Sequence, residues 1–330
     1  MRRRKIKPYL SGAELIKKRY RRFKIISLSV IALLFGGFAT VLYMNYDYLL
    51  FKQLIANHYI HTDTLDKLFM RHLGFVPENY ARNFDNLVIS IVTEEIRGVA
   101  GDRFTYLYTP AQHIAQRERE AAEAATVEFF EVAPGVVYLY LPNISRYVRN
   151  FVNDNRQELN SFNNLILDLR GNSGGTLDDF QAIAGLFLER GVTVGRETAR
   201  WNLFSTHRRS RGNLFFEFDN IVILQNGRTA SAAEGLIMAL TENLDNVVTI
   251  GEQTFGKGIG QVTLPLRRGF AVRATVILIE TPSGQTVHDI GIVPDVEFVG
   301  EEMLEFAITM IQALVEEQQN PSSTEDFDRD

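Results

Sequence analysis

The stretch LILDLRGNSGG, Leu165 to Gly175, decides the fold. Five residues of apolar strand texture, Leu165 to Leu169, run straight into a glycine-rich turn. Behind the turn, Thr176 can cap a helix whose Leu177, Phe180, Ala184 and Phe187 share one face, with Gly191 as its stop. A buried strand followed by a tight turn and an amphipathic helix is the unit of an α/β domain. Reading outward, VEFFEV, VVYLYL, IVILQ, VVTI and AVRATVILIE are further β-rich runs, from Val127 to Glu280, separated by helical patterns. The strand Ile221 to Leu224 leads through Gln225 to Ala230 into a second helix with Leu236, Ile237 and Leu240 facing inward, and Ser231 stands at its start.

A serine at a strand-to-helix turn exposes its hydroxyl, and the amides that follow it point along the positive end of the helix dipole. Alone, such a serine is more often only a cap. Lys257 shifts that balance. It lies between Gly256 and Gly258, with Phe255 and Ile259 nearby and no carboxylate beside it in the chain. A desolvated lysine loses basicity and can take a proton. Gln261, four positions on, falls on the same side if the segment is extended, and can orient the amine. Gly251, Gly256 and Lys257 also fit a phosphate loop, but Gly258 replaces the Ser or Thr that would hold Mg²⁺, and strand texture follows instead of helix. The pair Gly174 and Gly175 lacks dinucleotide-loop spacing and suits an oxyanion hole better. The six histidines, His58, His61, His72, His113, His207 and His288, give neither a defensible Ser-His-Asp triad nor a third ligand for a metal at His58 and His61.

In order along the chain, LILDLRGNSGG, NGRTASAAE, GEQTFGKGIGQ and TPSGQTVHDIGIVPD resemble the motifs of the carboxyl-terminal processing (tail-specific) serine peptidases. The resemblance covers residues 127 to 298, and GDRFTYLYTP at 101 to 110 is similar to the segment that precedes that family's PDZ domain. It implies Ser231 as nucleophile, Lys257 as base, Gln261 as the residue positioning the base, and the amides of Gly174 and Ala232 as oxyanion donors. It also implies a fold like that of Clp proteases and crotonases, a β-rich spiral with outer helices, and a peptidase that needs no cofactor or metal. Three departures stand out. Only residues 111 to 126 intervene where most members carry a whole PDZ domain, NSGG replaces the usual NPGG, and the spacing from Ser231 to Lys257 is one residue longer than usual. Without a PDZ groove to capture a peptide C-terminus, specificity should rest on side chains near the cut, and amidating a substrate's C-terminus should change kcat/KM by less than ~10-fold; only a larger loss would call for a carboxylate reader, with Arg267 and Arg268 the first candidates.

The rest of the chain concerns placement. Of the −5 formal charge, residues 1 to 24 contribute +10, with eleven Lys/Arg and one Glu, so the other 306 residues carry −15. An acidic body repels nucleic acid, and the basic arm fits a membrane topology signal. Ile25 to Met44 carries no charge over twenty residues, enough for one transmembrane helix, and Tyr43, Tyr46 and Tyr48 sit at its far end. The expectation is a single-pass cell-membrane protein with a cytoplasmic N-terminus and an extracytoplasmic body. A cleaved signal peptide, with Gly37 and Ala39 as its small residues, is the competing reading.

The expected organisation is a basic arm (1–24), the transmembrane helix (25–44), a helical subdomain (45–110) broken at Pro77, an exposed helical connector (111–126), the peptidase core (127–318) and a disordered acidic tail (319–330). Protein or peptide substrates are the expected partners, with a homo-oligomer or regulatory partner left open. The competing class is a catalytically silent binding or scaffold protein on the same fold. A thioesterase-like crotonase chemistry is a third. With no cysteine in the chain, disulfides and thiolate catalysis are excluded.

Overall fold

The computed structural model describes residues 11–61, 86–200, 206–212 and 215–319. Residues 1–10 of the basic arm, Leu65, Leu68, Phe69, His72 and Pro77 of the helical subdomain, and the tail from 320 lie outside them. The first helix, α1 (Gly12–Met44), opens on a capping box between Ser11 and Glu14 and takes in both the basic segment and the apolar run. It is long and apolar enough to cross a membrane, and none of it is buried against the protein. A second helix, α2 (Tyr46–His58), follows after Asn45. Arg267 fixes the junction between the two. Its guanidinium bonds the buried Asp47 carboxylate at 3.1 Å and donates to the carbonyls of Tyr43 and Met44.

The body holds two sheets. In chain order its elements are α3 (Asn86–Ala100), β1 (Tyr106–Tyr108), α4 (Pro110–Ala124), β2 (Glu128–Ala133), β3 (Val136–Tyr140), α5 (Arg146–Asp154), α6 (Arg156–Leu159), β4 (Asn164–Asp168) and α7 (Leu177–Phe187). There follow β5 (Thr193–Ala199), β6 (Thr206–Arg209), β7 (Asn220–Gln225), α8 (Ala232–Thr241), β8 (Val247–Gly251), β9 (Ile259–Pro265), β10 (Ala271–Glu280), β11 (Val296–Glu297) and α9 (Met303–Gln319). One sheet runs β11-β8-β7-β4-β3-β2, parallel except for the β2 edge. Every residue of β4 and β7 is buried, the pattern of parallel strands covered on both faces. Side-chain alternation divides them. Leu165, Leu167, Ile221 and Ile223 pack with α5, α7 and α8, whereas Ile166, Val222 and Leu224 pack against Met303, Ala307 and Ile311 of α9. The expected α/β architecture is present. Thr176 caps α7 as read from the sequence, but the helix ends at Phe187, ahead of Gly191.

The second sheet is built on β10, with β9 along one side, β1 and β5 along the other, and β6 beyond β5. On its back face, Val272, Ala274 and Val276 join Phe51, Ile55 and Tyr59 of the α2 segment and Ile89, Val92 and Ile96 of α3 in one apolar cluster. Full burial of each such side chain contributes about 1.5–3 kcal/mol. The stretch 101–110, expected to close a helical subdomain, instead enters this sheet as β1. Three residues paired to a partner more than 160 positions away carry little local strand signal, so tertiary pairing decides the outcome.

Asp102 secures the turn before β1. Its buried carboxylate accepts bonds from Tyr59 Oη (3.0 Å), Thr105 Oγ1 (2.6 Å), Thr275 Oγ1 (3.2 Å) and the Phe104 N–H (2.9 Å), joining the end of α2 to β10. Burial and this neighbouring carboxylate push the Tyr59 hydroxyl far above its ordinary range, so it stays a donor. Asp102→Ala removes one acceptor from four buried donors and should cost about 3–5 kcal/mol of stability, read from chemical denaturation of the full chain in detergent. A loss below about 1 kcal/mol would contradict this role.

Candidate active site

The parallel strands end on one side in two loops that face each other. The loop after β4 is shaped by Asp168, which accepts the Tyr138 hydroxyl (2.8 Å) and pairs with the Arg170 side chain (2.5 Å). Asn172, fully buried, donates to the Leu141 carbonyl (2.8 Å), and its own carbonyl accepts the Ala230 N–H (2.9 Å). In the loop after β7, Asn226 Oδ1 accepts the Gly171 N–H, and Thr229 Oγ1 donates to the Leu169 carbonyl. These bonds seat the residue before Ser231 against the glycine loop. In open α/β sheets ligands bind in such a crevice beyond the carboxyl ends of the strands.

Ser231 occupies the first position before α8 with φ 58° and ψ −120°, a conformation that a residue with a side chain rarely adopts. The sharp turn lifts its side chain into the crevice, where Gly174 comes close. A Cβ on Gly174 (φ 94°) would lie 2.8 Å from Ser231 Cβ and 2.8 Å from the Ala232 nitrogen, so no other residue fits there. The Ala232 N–H, first in α8, has no intrahelical acceptor. The Gly174 N–H corrects the expectation of two oxyanion amides, because it donates to Asn172 Oδ1 at 2.9 Å. The short reach back to Asn172 uses this donor to shape the loop.

Glu234, fully buried one turn into α8, joins Ser231 to Lys257. Its Oε2 accepts the Ser231 N–H (2.7 Å) and the Lys257 N–H (2.9 Å), and its Oε1 accepts Thr254 Oγ1 (2.6 Å) and the Gly256 N–H (2.8 Å). A desolvated carboxylate accepting four donors meets the condition under which buried charge is tolerated. The sequence carried its signal, since Ser231 and Glu234 have the S-x-x-E spacing of a capping box. The absence of a carboxylate near Lys257 holds along the chain but not in space.

The Lys257 amine lies 5.2 Å from the centre of the Phe104 ring, and burial first, then the Arg273 and Arg103 cations, push it down to about 8 against an opposing pull from Glu234. Arg103 stacks on Phe104 and Phe255, roofing the lysine. Gln261 departs from the expected direct hold on the amine. Its Nε2 donates to the Phe104 carbonyl at 2.5 Å. It therefore anchors the ring that covers Lys257. Ser231, Lys257, Gln261 and Gly174 line one cleft of about 630 Å³, walled by Gln116, Arg119 and Glu120 of the exposed α4. No helix follows Lys257, since β9 begins at Ile259, which removes the phosphate-loop reading. His288 packs near Phe104 with Nε2 3.6 Å from Asp289, outside the cleft lining. Arg267, held by Asp47, is outside the cleft lining too.

A parallel α/β layer thus carries a strained serine before a helix, and a lysine of lowered basicity shares its cleft. Residues 135–298 match peptidase family S41, and the chain belongs to that family. It is 38% identical to a carboxy-terminal-processing protease of Bartonella bacilliformis over 131 residues, 40% of this chain and 30% of that one. Against a carboxyl-terminal-processing protease of Synechocystis it is 36% identical over 145 residues, 43% and 32% of the two chains. The chain thus spans about a third of the length of these curated relatives. The fold is shared with a photosystem II D1 C-terminal processing protease (TM-score 0.60, 18% identity, 77% of this chain and 93% of that one). It is shared also with a lipoprotein from Streptococcus agalactiae (TM-score 0.64, 17% identity, 82% and 96%).

Glu234→Gln replaces one acceptor oxygen with an amide that meets N–H groups. Expected are a stability loss of about 2–4 kcal/mol and faster amide hydrogen exchange at whichever of Gly256 and Lys257 then faces the NH₂ group, since the two N–H groups bond different oxygens. Unchanged exchange at those two amides would show that the carboxylate does not hold the loop.

Proposed function

We propose that this chain is a membrane-anchored serine endopeptidase that processes or degrades protein substrates, with Ser231 as nucleophile and Lys257 as general base. The observation that carries the reading is the strained Ser231 sharing one cleft with a lysine lowered to about 8. Neutral Lys257 takes the Ser231 proton, the alkoxide attacks the peptide carbonyl, and the protonated amine returns the proton to the leaving nitrogen. Water then attacks the acyl-enzyme with the same lysine as base. The Ala232 N–H, at the positive end of α8, stabilises the oxyanion. Gln261 is a positioning residue that acts through Phe104, and Gly174 serves by its lack of a side chain.

In this reading α1 spans the cell membrane with the basic end in the cytoplasm and the body outside it. The Arg267 clamp on the end of α1, and the Tyr43 and Tyr46 rings around that guanidinium, support a body seated close to the bilayer surface. The peptidase core runs from 127 to 318 and takes in β1 from the preceding segment. The names of the relatives, carboxy-terminal-processing proteases, favour cleavage near a substrate's C-terminus.

Ser231→Ala and Lys257→Ala should each lower kcat/KM of peptide hydrolysis by more than about 10³-fold in a folded protein, and Gln261→Ala by less. Since only the neutral amine accepts a proton, kcat/KM of the unaltered enzyme should fall about tenfold per pH unit below a midpoint near 8 and level off above it. A Lys257→Ala enzyme with near-normal turnover, or a rate independent of pH between 6 and 9, would refute the dyad.

A further inference from the structure

The cleft contains a cation that the hydrolytic steps do not use. Arg273 sits in mid-β10, in register with Tyr106 of β1 on one side and Thr263 of β9 on the other. Directly opposed residues of antiparallel strands project to the same face. All three therefore lie on the face opposite Val272 and Ala274, and all three line the cleft that holds Ser231 and Lys257.

Its surroundings are incomplete for an arginine. Nη1 donates to Tyr108 Oη at 3.3 Å, while Nε is buried and has no hydrogen-bond partner. The other arginines of the lining have carboxylates, Arg208 with Glu197 and Asp178, and Arg119 with Glu123. Among the described residues none pairs with Arg273. Its neighbour in the cleft is instead Lys257, whose charged form it disfavours. A largely desolvated guanidinium with unused donors is unfavourable for folding alone and becomes favourable when an anion arrives.

The tyrosines complete an anion cradle. Tyr106 Oη and Tyr108 Oη are 2.5 Å apart, so the pair uses one hydroxyl proton internally and keeps the other to donate. Beyond them the cleft continues into a second cavity of about 570 Å³ that shares Tyr106, Gln116 and Arg119 and adds Arg97, paired with Glu94, and Arg103 to its walls.

We propose that Arg273, with the Tyr106 and Tyr108 hydroxyls, is a specificity site that binds a carboxylate of the peptide substrate lying in the cleft. The inference rests on the peptidase reading for the identity of its ligand. It departs from the sequence expectation that a terminal carboxylate matters little, and it takes the place of the fallback candidates Arg267 and Arg268. The carboxylate has two sources, the terminal α-carboxylate of the substrate or an Asp or Glu side chain near the cut. Guanidinium–carboxylate recognition at a partly desolvated site discriminates by about 10- to 100-fold against a neutral isostere.

Binding tests this without turnover. Full-length Ser231→Ala protein in detergent would be titrated with four sets of fluorescent peptides. One set carries a free C-terminus and no acidic side chain, and the second carries the same sequences as amides. The third and fourth are amides with Asp, or Asn, scanned through each position.

Expected is a preference of about 10- to 100-fold for free acids over amides, or for Asp over Asn at one position, which shrinks below about threefold when Arg273→Gln is added. The set that shows it identifies the source of the carboxylate. Equal affinity of charged and neutral peptides, no measurable binding of any anionic peptide, or an Arg273→Gln loss that is the same for both kinds would overturn the proposal. Tyr106→Phe should lower the same preference and guards against a variant that merely misfolds. Should the unaltered enzyme fail to hydrolyse peptides while this charge preference persists, the peptidase reading fails and the carboxylate site stands.

Discussion

The Glu234 carboxylate is the interaction on which the rest of the site depends. It sits fully buried one turn into α8 and divides its bonds between the start of that helix and the turn Thr254 to Lys257. The strained backbone at Ser231 costs about 1–3 kcal/mol by itself. A bond from its own N–H to Oε2 helps hold it, and the same oxygen accepts the backbone of Lys257. One buried acceptor thereby couples two segments from different strand connections. Neither loop can relax without leaving the carboxylate short of donors, which is the more costly error in a low-dielectric interior.

Around this centre the two sheets divide the work. The parallel sheet aims the ends of β4 and β7 at the crevice and supplies the serine turn and the glycine loop. The second sheet gives a polar front, with Gln261, Thr263 and Arg273 lining the cleft, and an apolar back, with Val272, Ala274 and Val276 packed on α2 and α3. The helices that follow the membrane-length α1 therefore press on the reverse of the cleft floor. Asp102 carries that contact forward through Phe104, whose ring covers Lys257 and whose carbonyl receives Gln261. Basicity at Lys257 thus depends on packing laid down by the N-terminal segment as well as on local burial.

Legibility in the sequence followed the range of the interaction. The parallel strands, the Thr176 cap and the placement of Ser231 before a helix rest on patterns a few residues long, and the structure has all of them. The short strand β1 is not legible there, because its pairing with β10 is remote and its own three residues say little. Lys257 was found through its glycine neighbours, but the carboxylate under it was not, since Glu234 lies 23 positions earlier and reaches the lysine only after β7, β8 and α8 are stacked. The Gly174 amide was assigned by position in a motif, whereas the side chain two residues before it takes that donor. Arg267, a candidate carboxylate reader in the sequence, is bound to Asp47 and to the end of α1 instead.

The most direct test of a lysine-activated Ser231 is the site of covalent capture by a fluorophosphonate, mapped by mass spectrometry on the full-length protein. The account predicts a single adduct, on the peptide that contains Ser231, and its loss when Lys257 is replaced by alanine in a protein that remains folded. An adduct on another residue, or labelling of Ser231 at an unchanged rate without Lys257, would contradict it.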